Sequence, residues 1–312
     1  MNPVAVIKTE GLTKHYRTGI TRKKVEALSD LSLTVGEGEV FAFLGLNGAG
    51  KTTTIKLLLD HARPTTGRAM LFGMDAIHPA VRTRVGYLPD LPYFYRFLSA
   101  HELLDYTGKL FGLKRSERAL RAGRLLKLVG LEGREHEAIK GFSRGMLQRV
   151  GLAQALINDP ALVILDEPLG GLDPVGRVEL REIIAGLKRE GRTVFFSSHL
   201  LDDAQRLADR VGIIHHGRLI ACGTLDELLT QGPEWEAEVV PGNETDIGSL
   251  CRQRGWKYEP SGGTEIMVLS QETELHELYG LAASGKITIR ALNRRRISLE
   301  EAFLMELGRW QV

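Results

Sequence analysis

The pattern of apolar and polar positions divides the chain into four stretches. Residues 4–44 read as short strands joined by turns, with a basic tip at Thr18–Lys24 that suits a solvated hairpin turn. The run Glu39–Leu44 reads as a short buried strand, and Ile55, Leu58 and Leu59 lie at helical spacing in a helix expected to begin at Thr53. From Leu98 to about Ile157 the pattern is helical, with Leu103, Leu104, Leu110, Leu120, Leu125, Leu126 and Leu128 on recurring faces. From Ala161 strands and helices alternate through Leu162–Leu165, Val175–Glu190, Thr193–Ser197 and Asp202–Asp209. Such alternation predicts a mainly parallel sheet with crossover helices.

Gly232-Pro233 is a turn signal and marks the expected boundary between residues 1–231 and 232–312. Beyond it the order is strand (Glu234–Val240), helix (Thr245–Arg254), strand (Lys257–Glu259) and strand (Glu265–Leu269). A helix (Thr273–Ser284), a strand (Lys286–Ala291) and a last helix (Ser298–Leu307) follow. Strand–helix–strand–strand–helix–strand is the order of a ferredoxin-like unit, so a small α+β C-terminal domain is expected. The triplet Arg294-Arg295-Arg296 reads as a solvated loop.

Composition narrows the classes. The 312 residues carry 41 Lys and Arg against 39 Asp and Glu, a formal charge of +2, so no nucleic-acid partner is expected. Cys222 and Cys251 lie far apart, without metal or redox spacing, and suit a reducing compartment. Met1-Asn2-Pro3-Val4 does not open a secretion signal, and no apolar run approaches the roughly 20 residues that span a bilayer. A soluble protein is the expectation. His215-His216 lacks further ligands nearby and reads as surface.

The chemistry starts at Gly45-Leu46-Asn47-Gly48-Ala49-Gly50-Lys51-Thr52, which fits the phosphate-cradling pattern G-x-x-x-x-G-K-[ST] between a strand and a helix. Glycines let the backbone wrap phosphates, and the helix N-terminus adds its positive end. Lys51 can reach the β- and γ-phosphates and Thr52 can offer its hydroxyl to Mg²⁺. A nucleoside triphosphate is the implied ligand. A second motif, Ala161–Leu165 followed by Asp166-Glu167, ends an apolar strand in adjacent carboxylates. Asp166 would orient Mg²⁺, and Glu167 would align the attacking water and accept its proton. The third, Phe142-Ser143-Arg144-Gly145-Met146-Leu147-Gln148-Arg149, precedes a helix and can present an anion site at its N-terminus.

Together these motifs resemble the ATP-binding cassette (ABC) family, whose signature is Leu-Ser-Gly-Gly-Gln. The resemblance covers residues 4–230 and implies an α/β P-loop NTPase cassette: a mixed sheet core plus a helical signature subdomain at about 90–157. It extends to Tyr16, matching the aromatic that stacks on adenine, and to Asp90, standing where many members have the Q-loop glutamine. Gly171-Leu172-Asp173 matches the D-loop, and His199 the switch histidine. It thus implies ATP binding through Tyr16, Gly45, Asn47, Gly48, Ala49, Gly50, Lys51, Thr52, Thr53, Asp90, Ser143 and Gly145. Mg²⁺ would fall to Thr52, Asp90 and Asp166, and catalysis to Glu167, His199 and Lys51. In the family two cassettes pack head to tail, so a homodimer would build two complete sites.

Asp90, Arg144 and Met146 depart from the usual pattern. Such departures, with the closing Ser298–Leu304, resemble cassettes of exporters whose membrane subunit is separately encoded. The implied function is the ATPase subunit of a membrane exporter, held at the cytoplasmic face of the membrane by that permease. The aromatics of Leu91–Leu98 can form a socket for it or pack the helical lobe. The alternatives are a cassette ATPase not coupled to transport, and an importer ATPase with a regulatory C-terminal domain.

Overall fold

The computed structural model describes residues 5–18, 23–229, 234–242, 245–261, 264–295 and 297–310. Internal contacts divide the chain into two units, one reaching Leu225 and the other spanning Asp226–Arg309. The first unit opens with two long strands, β1 (Ala5–Thr18) and β2 (Lys23–Gly36), then β3 (Val40–Leu44) and helix α1 (Lys51–Leu58). Next come β4 (Thr66–Leu71), β5 (Met74–Asp75), α2 (Pro79–Arg82) and β6 (Val85–Leu88). The helical lobe holds α3 (Ala100–Leu110), α4 (Arg115–Leu128) and α5 (Arg144–Leu156). Alternation then resumes with β7 (Leu162–Asp166), α6 (Pro174–Arg189), β8 (Thr193–Ser198), α7 (Leu201–Leu207), β9 (Arg210–His215) and β10 (Arg218–Thr224).

Two sheets result. The six-stranded one runs β10-β9-β3-β8-β7-β6, parallel except for β10. Its strands β3, β7 and β8 are buried at every position, as strands covered on both faces must be, which explains their continuous apolar sequences. Phe195 stacks on Phe41 at 5.7 Å and meets Phe43 at 5.5 Å, so aromatic packing fixes the floor beneath the phosphate loop. The second sheet, β2-β1-β4-β5, is antiparallel. Helix ends follow their local chemistry: Ser99 and Glu102 form a capping box on α3, and Asp173 accepts from the Gly176 N–H to cap α6.

The helical lobe meets the sheet at a close backbone approach. A Cβ built on Gly86 of β6 would fall 2.0 Å from the Ala155 carbonyl of α5, so strand and helix backbones touch there. Gly86→Ala is expected to destabilise the chain by about 1–3 kcal/mol through forced separation of these elements. A urea midpoint equal to that of the parent would refute this.

The second unit comprises α8 (Leu225–Leu229), β11 (Trp235–Pro241), α9 (Ile247–Arg254), β12 (Lys257–Ser261) and β13 (Thr264–Leu269). It closes with α10 (Glu272–Ala283), β14 (Ile287–Arg294) and α11 (Leu299–Trp310). The antiparallel sheet order β12-β13-β11-β14 gives the ferredoxin-like arrangement expected from the element order. Alternate residues Ala237, Val239, Met267 and Leu269 face Leu275, Leu278 and Leu281 in a separate core. Cys251 lies in that core, and burial pushes its thiol up to about 11.

Several expectations are corrected. The first helix begins at Lys51, not Thr53, because its N-cap is Gly50, which carries no capping side chain to mark the start. The N-terminal strands are 14 residues each rather than short; bulges between Thr9 and Leu12 and between Lys14 and His15 break their alternation. The helical stretch is interrupted between α4 and α5 by turns and a 3₁₀ segment at Ile139–Gly141. Gly232-Pro233, residues 19–22 of the basic tip and Arg296 lie outside the described residues.

Candidate functional site

The phosphate loop is squeezed between three strands, which accounts for its glycines. The Gly45 N–H donates to the Ser198 carbonyl at 3.3 Å, and the Ala49 carbonyl accepts from the Gly217 N–H at 2.8 Å. A Cβ on Gly45 would lie 2.5 Å from the Ile214 carbonyl. One on Gly50, at φ 115°, would lie 2.8 Å from the Ala27 carbonyl. Leu46, Asn47 and Gly48 are exposed, while Ala49 and Gly50 are buried. No side chain caps α1, so its first N–H groups have no side-chain acceptor, the arrangement that suits an anion. A cavity of about 200 Å³ opens there, lined by Asn47, Gly48, Gly50, Lys51, Thr52, Thr53, Asp90 and Glu167, with Ala27 and Leu46.

A chain of polar contacts runs along one wall. Lys51 is buried; its Nζ donates to the Gly45 carbonyl at 2.6 Å and lies 3.1 Å from Glu167 Oε1. The other oxygen, Oε2, sits 2.8 Å from His199 Nδ1. Glu167 therefore lies between a cation and an imidazole. It adopts φ 49°, a left-handed conformation that a non-glycine residue holds at a cost, and its N–H donates to Ser197 Oγ at 3.0 Å. The Ser197 hydroxyl donates to Asp166 Oδ1 at 2.6 Å, and the Thr52 hydroxyl lies 3.4 Å from the same oxygen. Ser197 thus joins both carboxylate residues, a role that its sequence, a serine ending a buried strand, signals weakly.

Burial raises the Asp166 carboxyl above its ordinary 3.8; the hydrogen bonds from Ser197 and Thr52 oppose the shift. A raised folded value means the folded chain holds this proton more tightly than the unfolded one. The contribution of Asp166 to stability is therefore fully present below 3.8 and is lost as pH rises through the raised value. Asp166→Asn is expected to lack that loss, so its stability relative to the parent should be greater at pH 7 than at pH 4. Equal urea-midpoint differences at the two pH values would contradict it.

The signature residues sit elsewhere. Ser143 caps α5 by accepting from the Met146 N–H at 3.3 Å. Ser143, Arg144 and Gly145 line a separate cleft of about 540 Å³ with Arg134, Arg149 and the Gly171–Asp173 segment. Gln148 Nε2 donates to the Pro168 carbonyl at 3.3 Å, tying α5 to the loop after Asp166-Glu167. Tyr16 lies on β1 opposite Val25, with the Lys14 ammonium 5.0 Å from its ring centre. It is not among the residues lining the phosphate-loop cavity, nor are Gly45 and Ala49. A groove of about 280 Å³ beside Leu58, Asp60, His61 and Tyr87 is larger than that cavity but holds no phosphate-cradling loop. In the Leu91–Leu98 segment, Leu91, Tyr93, Tyr95 and Phe97 are 56–94% exposed, whereas Phe94 is buried. Among the described residues no helix is long and apolar enough to cross a membrane.

Residues 28–170 match a family model described as ABC transporter. An uncharacterized ABC transporter ATP-binding protein of Synechocystis sp. is 41% identical over 305 residues, covering 97% of this chain and 84% of that protein. The chain belongs to the ABC transporter ATP-binding protein family. Another member, the bacitracin transport ATP-binding protein BcrA of Bacillus licheniformis, is 34% identical over 307 residues, 97% of each chain. A bacterial ABC transporter cassette solved as a dimer is 25% identical, covers 70% of this chain and 98% of its own, and superposes with a TM-score of 0.65. The first unit accordingly has the ABC ATPase cassette fold, and the ferredoxin-like unit follows it.

Proposed function

We propose that this cassette hydrolyses ATP as a homodimer and drives a separately encoded membrane exporter from the cytoplasmic face of the membrane. The observation that carries the reading is Glu167 held between Lys51 and His199 beside the phosphate-loop cavity. The donor set fits a triphosphate with a divalent cation: a buried ammonium and an uncapped helix N-terminus suit the phosphates, and hard oxygens of Thr52, Asp166 and Asp90 suit the cation. Mg²⁺ held by those oxygens would supply neutralisation of the phosphate charge.

Lys51 turns from the Gly45 carbonyl toward the β- and γ-phosphates, which releases Glu167 from its ion pair. Glu167 then aligns the attacking water and accepts its proton, and His199, 2.8 Å away, keeps the carboxylate oriented. The Ser143–Gly145 cleft is distinct from the cavity of the same chain, so a second copy can supply it across a two-fold axis. The exporter direction rests on Asp90, Arg144 and Met146 and on the kinship with a bacitracin transport cassette. The exposed aromatics around Tyr93 offer an apolar surface for the membrane subunit.

Tyr16→Ala is expected to weaken ATP binding by about 1–3 kcal/mol if Tyr16 stacks on adenine. Unchanged affinity by titration calorimetry would remove Tyr16 from the site. The function itself is tested by recovering the ATP-locked Glu167→Gln chain from detergent-solubilised membranes and identifying its partner by mass spectrometry. Co-purification of a multi-spanning membrane protein supports the transporter reading, and recovery of soluble partners alone overturns it.

A further inference from the structure

Asp90 and Arg144, both departures from the usual cassette pattern, meet each other. Arg144 Nη2 lies 3.8 Å from Asp90 Oδ1, with 53% and 47% of the two side chains exposed. The same guanidinium rests on the D-loop backbone: a Cβ on Gly171, at φ 70°, would fall 2.4 Å from Arg144 Cζ. One side chain thus joins the loop after β6, the start of α5 and the loop between β7 and α6. Asp90 lines the phosphate-loop cavity, and Arg144 lines the signature cleft.

Helix stability does not explain the arginine, because a cation in the first turn opposes the helix dipole. The cleft's other arginines have acid partners of their own, Glu137 for Arg134 and Glu179 for Arg149. An ion pair this exposed shifts an equilibrium by up to about fivefold, weak enough to open when either partner gains a better counter-charge.

We propose that Arg144 is a positioning residue that holds Asp90, and through this ion pair couples the phosphate-loop cavity to the signature cleft within one chain. The coupling is reciprocal. An anion that draws Arg144 into the cleft frees Asp90 for a cation in the cavity, and a cation on Asp90 frees Arg144 for an anion. The purpose of the device rests on the proposed function; its existence does not.

The test is amide hydrogen exchange of residues 89–98 in the full chain without nucleotide. Arg144→Gln and Asp90→Asn should each speed exchange there by up to about fivefold, and the double variant should add nothing further. Arg144→Lys, and the charge-exchanged pair Asp90→Lys with Arg144→Glu, should return exchange toward the parent rate. An arginine that merely packs on Gly171 would respond to Arg144→Gln but not to Asp90→Asn, and charge exchange would not rescue it. Unchanged exchange in Asp90→Asn, or additive effects, overturns the proposal. Sedimentation of Glu167→Gln with ATP separates the two readings: a persistent monomer alongside a positive exchange cycle removes the dimeric mechanism and leaves the ion pair.

Discussion

Replacing Glu167 by Gln is expected to cut phosphate release by about 10²–10⁴-fold, the range for loss of a positioned general base. Glutamine keeps the shape but cannot accept a proton. The amide can still contact His199 and Lys51 at the positions Oε2 and Oε1 occupy, 2.8 Å and 3.1 Å from them, so the fold should tolerate the change. ATP should therefore remain bound and hold the chain as a dimer. Steady-state phosphate release at the parent rate would take Glu167 out of the base role, whereas loss of ATP binding would mean it mainly positions Lys51.

Lys51→Ala is expected to weaken ATP binding by roughly 100-fold, about 3 kcal/mol, the scale of one or two hydrogen bonds to a charged group. Lys51 is 6% exposed, so its ammonium meets phosphate from a largely desolvated position. Titration calorimetry reads the effect. Affinity within about threefold of the parent would show that loop N–H groups alone carry phosphate binding.

The site was legible in the sequence where its chemistry is contiguous. The phosphate loop, Asp166-Glu167 and Ser143-Arg144-Gly145 each fall within a few residues and each adjoin a strand or helix end. Contacts made by distant residues were not legible. Nothing in the spacing places Lys51 against Glu167, Asp90 against Arg144 or Ser197 between two carboxylate residues. In the fold, β3, β7, β8 and the C-terminal βαββαβ order were readable because their apolar runs are long and bounded by turns. By contrast β4, β5, β6, β9 and β10 carry no such signal. The strand β6 has four residues and β5 two, too few to display a period, and Gly212 interrupts β9.

The backbone contact between Gly86 and Ala155 pins α5 near its C-terminal end, far from Ser143 at its N-cap. Ser143 stands twelve residues from Ala155, an arm of about 18 Å at helical rise. A tilt of about 5° about that point carries the serine roughly 1.5 Å, half the length of a hydrogen bond. A tilt too slight to disturb the sheet is thus enough, at Ser143, to decide whether a hydrogen bond there is made or broken.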